Sequence, residues 1–464
     1  MQYDVRKYGA AGDGRTDDTA SVQNCIDLCS SKGGGTVLLD EGTFRCGTLF
    51  LKSDVTIKIT ESAVLLASPD IGEYSADTHY NRYRNEKDLD RCFLYAQDEK
   101  NLCITGNGRI VGNAEAFPNK NSIYRPMMIR FLRCENITLE QVRLLDSAAW
   151  TTAFLDSRDI WVRNVKIHND KRYNGDGLDF DGCQNVFIDN CQISGTDDNL
   201  CLQSSSKNYP MENVHITNCQ FRSICAAIRI GLKSIGTIRD VVISNCTMRN
   251  VWREGIKIEC SEGGEISDIS VQNIVMHNVS RPVFVLLNNR FLPDDLGSSI
   301  ELIEMPQIGA MKNLTFSNIT AVDDEEMQKP HMRFGKDLMG APWFNGIRID
   351  AEENHPIKNV TFCNVRYESI GGVKKTQIPE EYPAVEDQLR SQKKLTSENY
   401  YPDWSRAAFL DIRNVDGLYC SAVQFCSQYE DERKAYYIEQ SRILKQEIFI
   451  ENKEMERKKD ERRI

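Results

Sequence analysis

Two groups of aspartates in the stretch 174–205, NGDGLDFDGCQNVFIDNCQISGTDDNLCLQSS, have the type and spacing to do chemistry: Asp176, Asp179 and Asp181, then Asp197 and Asp198. Carboxylates facing one groove suit the cleavage of a glycosidic bond. One stays protonated and gives its proton to the leaving oxygen, while another, ionised, activates water or attacks carbon. Crowding of like charges raises the pKa of one member and so supplies an acid at neutral pH. Such hydrolysis needs no metal and no cofactor. Two other readings compete: clustered Asp and Asn oxygens also suit Ca²⁺, and aspartates in loops commonly serve only as turn or capping residues.

The two groups lie about one repeat of the surrounding pattern apart, so something must stack them. From Leu102 onward one short unit returns: NITLEQVRL (136–144), DIWVRNVKI (159–167), NVFIDNCQI (185–193), NVHITNCQF (213–221), DVVISNCTM (240–248), DISVQNIVM (268–276), NLTFSNITA (313–321) and NVTFCNVRY (359–367). Each copy is an alternating strand, a polar corner and a second alternating strand. The middle copies recur every 23 to 28 residues, the length of one coil of a parallel β-helix. The corner asparagines Asn164, Asn190, Asn218, Asn245, Asn273, Asn318 and Asn364 can bond to one another from coil to coil and hold the register. An all-β, single-stranded parallel β-helix is expected over residues 1–430, the acids of consecutive coils falling side by side.

Residues 1–68 read as an N-terminal cap. An amphipathic helix follows Thr16-Asp17-Asp18 with Val22, Ile26 and Cys29 on one face; Gly33-Gly34-Gly35 ends it, and strands 36–39, 48–51 and 55–59 follow. Such a helix would cover the first coil of an open solenoid. The glycine-rich GDGRTDD lacks the GK[ST] ending of a phosphate loop. At the other end, 431–464 is rich in Glu, Lys and Arg, with Tyr436, Ile438, Ile443 and Leu444 spaced for a helix, and a charged helical tail is expected to cap the last coils.

A formal net charge of −11 over 464 residues, with no basic run interleaved with aromatics, argues against nucleic acid as a partner. No apolar run reaches the ~18 residues a membrane span needs, and no leader pattern precedes the first structured residues, so a cytoplasmic protein is expected, or a secreted one where a leader has been removed. The 16 cysteines recur at an inward position of the repeat (Cys191, Cys219, Cys246), which reads as buried free thiols; none has zinc-ligand spacing.

The chain resembles glycoside hydrolase family 28, the polygalacturonase-like enzymes. YGAAGDGRTDDT…GGGTVLLDEGTF is similar to the family's entry, TGNGRIVGN (105–113) to its ITGxGxIDG turn, and YRPMMIRF…DSAAWT (124–151) to its RPxxIxF…NSPxW segment. NGDGLD (174–179) resembles NTDGID, and TDDNLCLQS (196–204) resembles GDDCIAIKS. The resemblance implies a right-handed β-helix in which Asp197 is the general acid, Asp176 and Asp198 hold and activate the attacking water with inversion at the anomeric carbon, and Asp179 and Asn174 line the groove.

Two departures bear on substrate. CAAIRIG (225–231) stands where the family has GHGISIG, so Ala226 replaces a histidine; GIKIE (255–259) stands where the family has GxRIK, so Lys257 keeps a positive charge and Glu259 reverses one. A substrate carboxylate against Glu259 would be repelled, which points to pectin-like or related oligosaccharides other than plain polygalacturonan. Arg229, Lys233 and Arg253 offer other positive charges for an anionic sugar. Long inserts after Val283 and His331, the second carrying Trp343 and Phe344, would wall one end of the groove and favour exo action. The expected partner is an oligosaccharide or polysaccharide, with the protein a monomer or homo-oligomer. Two alternatives remain at this point: a polysaccharide lyase or other β-helix carbohydrate enzyme, and a non-catalytic carbohydrate-binding β-helix.

Overall fold

The structure, a computed structural model, describes every residue except 77–80, 85, 87–90, 121, 290–297, 336, 341–344, 379–405 and 453–464. Trp343 and Phe344, expected to wall the groove, lie outside the described residues. The chain divides into two compact units, Met1–Gln220 with Ser298–Glu301, and Phe221–Gly297 with Leu302–Ile464.

In the first unit, alternating strands stack in parallel columns. One column runs through Val55–Ile59, Lys100–Thr105, Glu135–Glu140, Arg158–Arg163, Gln184–Asp189 and Met211–Thr217. Its inward positions form ladders: Ile137, Ile160, Val186 and Val214 sit in register, as do Leu139, Val162, Ile188 and Ile216, all buried. Each such side chain stabilises the stack by ~1.5–3 kcal/mol. A second column, Cys92–Gln97, Met127–Leu132, Thr152–Leu155, Leu178–Asp181 and Leu200–Ser204, carries the aspartates. Inside it Phe131, Phe154 and Phe180 stack with ring centroids 5.1 and 4.7 Å apart. This is the expected right-handed parallel β-helix.

The second unit repeats the scheme with longer strands, Thr247–Cys260, Glu265–Leu287, Ala310–Val322, Ile357–Ser369 and Val415–Ser427 among them, again paired in parallel. Glu265–Leu287 passes three left-handed corners, Asp268, Asn273 and Asn278, at φ 58°, 56° and 54°. Asparagine tolerates this left-handed conformation better than most residues, because its short polar side chain bonds locally.

The corner ladder is present within each unit. Asn190 donates to Asn164 at 2.7 Å; Asn273, Asn318 and Asn364 donate to Asn245, Asn273 and Asn318 at 3.1, 3.2 and 2.9 Å. Asn218 departs from the series by donating to Asp189 at 2.8 Å. A second ladder, not singled out from sequence, joins first residues of several repeats: Asn136 donates to Asn101, Asn185 to Asp159, Asn213 to Asn185, Asn313 to Asp268 and Asn359 to Asn313. All sixteen cysteines are free and fourteen are buried, as their inward positions suggested.

Near the N-terminus the helix Thr19–Ser31 buries Val22, Cys25, Ile26 and Cys29 and packs on Gly35–Leu39 and Leu49–Phe50. Asp18, which precedes it, makes no capping bond; its carboxylate accepts from the Ala11 and Gly12 amides and folds the glycine-rich turn around itself. The charged tail corrects the sequence reading. Instead of a helix, Lys434–Glu439 pairs in parallel with Ala408–Arg413, and Arg442–Asn452 with Val415–Ser427. Tyr436 and Ile438, and Ile448 and Ile450, alternate with period two, and the preceding coil offers an unsatisfied strand edge to bond. The coils therefore continue through Asn452.

One buried carboxyl makes the second unit's stability pH-dependent. Asp323 is 2% exposed and accepts from the Tyr367 hydroxyl at 2.7 Å; burial lifts its pKa to about 7, against the opposing effects of the Tyr367 bond and the Arg433 charge. A raised folded-state pKa contributes stability that is complete below the ordinary carboxylate value and lost as pH rises through about 7. Thermal unfolding across that range should show stability falling with pH, by at most about 4 kcal/mol, and Asp323→Asn should flatten the fall.

Candidate active site

The acids are positioned by backbone pairing between two neighbouring coils. Leu178–Asp181 and Leu200–Ser204 run in register, Asp179 beside Cys201 and Asp181 beside Gln203. Just before these strands the Gly177 amide donates to the Asp198 carbonyl at 3.1 Å and the Leu178 amide to the Asn199 carbonyl at 2.9 Å. Asp176 and Asp198 therefore stand one inter-strand step apart, ~4.8 Å. The approach requires glycine: a Cβ on Gly177 would lie 2.3 Å from the Asn199 carbonyl oxygen, and one on Gly175 would lie 2.4 Å from Thr196 Oγ1.

Asp176, Asp179 and Asp198 are buried and Asp197 is partly exposed. One carboxylate oxygen each of Asp176 and Asp198 and the Cys201 sulfur lie within 4.8 Å of one another, and Cys201 Sγ lies 3.7 Å from Asp198 Oδ2. Asp197 accepts the Asp198 amide at 3.1 Å. Asp176 Oδ1 is buried and has no hydrogen-bond partner. Burial, then the charges of Asp197, Asp179, Asp198 and Glu86, hold the Asp176 carboxyl well above the usual range. The crowding expected from sequence is therefore present, and it falls on Asp176. Two carboxylates and a thiol make a poor set for Ca²⁺, which takes six to eight oxygens, so the donors do not favour the calcium reading.

Asn174 is held in the left-handed region, φ 54°, by Arg125, whose Nη2 donates to its Oδ1 at 2.9 Å while Nη1 donates to the Tyr173 carbonyl at 2.6 Å. Arg125 is fully buried. It sits in the RPMMIRF segment quoted above, yet nothing in the sequence assigned it this role, because its partners lie about two coils away. Cys201 was likewise overlooked, although strand alternation places it beside Asp179. Asp181 is not part of the acid group: its carboxylate accepts from the Tyr83 hydroxyl, the Ser205 amide and the Ser205 hydroxyl.

In the second unit Arg229 and Lys257 are register partners. Glu259 lies between them, 3.5 Å from Arg229 Nε and 3.3 Å from Lys257 Nζ. Glu254 meets Arg253 at 3.4 Å, Lys257 at 4.0 Å, and Arg281 in a hydrogen bond. The Glu259 charge is thus engaged by neighbouring cations and does not stand alone, as the repulsion argument assumed. Ala226, at the histidine's place, is fully buried.

Comparison with known proteins places these observations. The pattern of Glycosyl hydrolases family 28 matches residues 29–378. A probable polygalacturonase of Vitis vinifera is 27% identical over 58% of this chain, which spans 59% of that protein; an exo-poly-alpha-D-galacturonosidase of Dickeya chrysanthemi is 23% identical over 78% of this chain and 71% of its own length. The fold is shared with a hyperthermoactive exopolygalacturonase from Thermotoga maritima (TM-score 0.65, 22% identity, 80% of this chain and 87% of that one). It is also shared with a family 28 exopolygalacturonase from Yersinia enterocolitica (TM-score 0.68, 18% identity, 97% and 78%).

The raised Asp176 carboxyl carries a sign. Its ionised form is penalised by folding, so its stability contribution is present at low pH and declines as pH rises through the elevated value. Asp176→Asn removes that penalty. At neutral pH the variant should melt above wild type while losing at least about a hundredfold in turnover; a lower melting temperature would contradict the charge-crowding account.

Proposed function

Because this chain belongs to glycosyl hydrolases family 28, we propose that it is an inverting glycosidase that removes terminal sugars from pectin-like, galacturonate-containing oligosaccharides. The observation that carries this reading is the pairing of Asp176 with Asp198. Their oxygens approach within 4.8 Å, closer than the ~6.5–9.5 Å that an inverting acid and base leave between them for water. The two therefore act from one side, as a pair that holds the attacking water, with Asp176 carrying a proton and Asp198 taking one from the water. Asp197, the most exposed of the four, is the donor to the leaving oxygen. Asp179 lies in register beside Cys201 and lines the same floor.

In the second unit Arg229, Arg253, Lys257 and Arg281 cluster with Glu254 and Glu259, and cations of this kind suit the carboxylate of an anionic sugar. With Glu259 engaged, plain polygalacturonan belongs among the substrates to test, beside rhamnogalacturonan fragments. The names of the exo-acting relatives favour attack at chain ends.

The roles of the acids separate by leaving group. Asp197→Asn should lose at least about a hundredfold on natural oligosaccharides and recover most of that rate on a glycosyl fluoride, whose departure needs no proton. Asp198→Asn should recover little. Recovery in Asp198→Asn but not in Asp197→Asn would reverse the assignment.

A further inference from the structure

The acids that look like one run in the sequence have two destinations, and the second is a device for holding chain over the first. Asp181 follows Asp179 by two residues on Leu178–Asp181, so both side chains leave the same face of the coil, ~7 Å apart. Asp181 is 2% exposed and fully engaged: Tyr83 Oη donates to it at 2.6 Å, Ser205 Oγ at 2.5 Å and the Ser205 amide at 2.8 Å, with the Arg82 guanidinium 3.4 Å away. Arg82, 1% exposed, also grips Asp156 through two bonds of 2.8 and 3.0 Å and donates to Ser205 Oγ at 2.8 Å.

The segment carrying Arg82 and Tyr83 crosses the coil that precedes the acids. Tyr83 packs against Trp150, ring centroids 6.0 Å apart, in a buried cluster that includes Ala149, Ala153 and Leu155. Ala153 and Leu155 are the register partners of Asp179 and Asp181. Close by, the Glu86 charge reaches Asp176, so this segment borders the acids themselves. It is doubled by a second piece of chain from far along the sequence. The Arg84 amide donates to the Ser298 carbonyl at 2.8 Å and the Ile300 amide to the Arg82 carbonyl at 2.9 Å, with an antiparallel bridge between Tyr83 and Ser299. Arg84 Nη2 donates to the Ser299 carbonyl at 3.0 Å, and Glu301 lies 3.8 Å from Arg82.

A cation buried between two carboxylates is costly to desolvate and adds little net stability, but it permits only one arrangement of the segments it joins. We propose that the double strap of residues 81–84 and 298–301, fixed by Arg82 and Tyr83 on Asp181, closes the acidic groove on the side of the preceding coil and so confines cleavage to the sugar at a chain end. Asp181, Arg82 and Tyr83 are positioning residues, and none touches the reacting atoms. The inference rests on the glycosidase reading above and names the feature that sets its exo action.

Tyr83→Phe removes the hydroxyl bond to Asp181, and Arg84→Ala removes an exposed side chain that reaches the partner segment; the double variant is expected to fold where Arg82→Ala, leaving two buried carboxylates without their cation, fails. Wild type and the double variant are compared on long galacturonan by chromatography of early products. Wild type should release single terminal sugars, and the variant should raise the ratio of internal fragments to single sugars at least about tenfold. A folded variant that is slower but still releases only terminal sugars overturns the proposal, as does a wild type that cuts internally while remaining dependent on Asp197. If wild type is inert on galacturonan, the substrate reading falls and the strap is judged by hydrogen exchange. The Ile300 and Arg84 amides should then exchange at least about tenfold faster in Tyr83→Phe, and unchanged exchange overturns the anchor.

Discussion

Everything in the site depends on one constraint, the fixed step between hydrogen-bonded parallel strands. Coils joined amide to carbonyl rise by ~4.8 Å, so a residue type repeated at coil spacing becomes a row whether or not its members favour each other. Apolar rows such as Ile137, Ile160, Val186 and Val214 are stabilised by the stacking. The row of acids is not. Asp176 and Asp198 are brought together by the Gly177 amide on the Asp198 carbonyl, a bond made by backbone and indifferent to the charges beside it.

Holding carboxylates that close disfavours ionisation of all of them together, and the structure shows where the disfavour collects. Asp176, buried and with one oxygen unpartnered, is the group pushed upward. The surrounding coils supply the stability that offsets this, through inward ladders and two lines of asparagine and aspartate amide bonds at left-handed corners. Glycines at 175 and 177 remove the side chains that would otherwise hold the coils apart. Site and scaffold are thus one object: what sets the register also sets the acids.

Most of this was legible because it is periodic. The repeat, its corner asparagines, the buried thiols and the adjacency of the acidic groups all follow from coil length and alternation. What escaped was whatever depends on partners outside the period. Asp181 shares the spacing of Asp179 yet is claimed by Arg82 and Tyr83, about a hundred residues earlier. Arg125 bonds the turn at Asn174 from 49 residues away. Glu259 looked repulsive only because Arg229 and Lys257 had not been placed against it. The tail failed for a different reason. Its charge and the spacing of Tyr436, Ile438, Ile443 and Leu444 suggested a helix, but an open strand edge on the coil before it recruited the period-two alternation of Tyr436 and Ile438 and of Ile448 and Ile450.

The central claim is that acids aligned on neighbouring coils hold water on one side of the bond and a proton donor on the other. Proton NMR of the first product released from a defined pectic oligosaccharide, recorded before mutarotation, tests it most directly. The account predicts a new reducing end whose anomeric configuration is opposite to that of the bond cleaved. A product of retained configuration would mean that one of these carboxylates attacks carbon itself, and would contradict the pairing of Asp176 and Asp198 around a water.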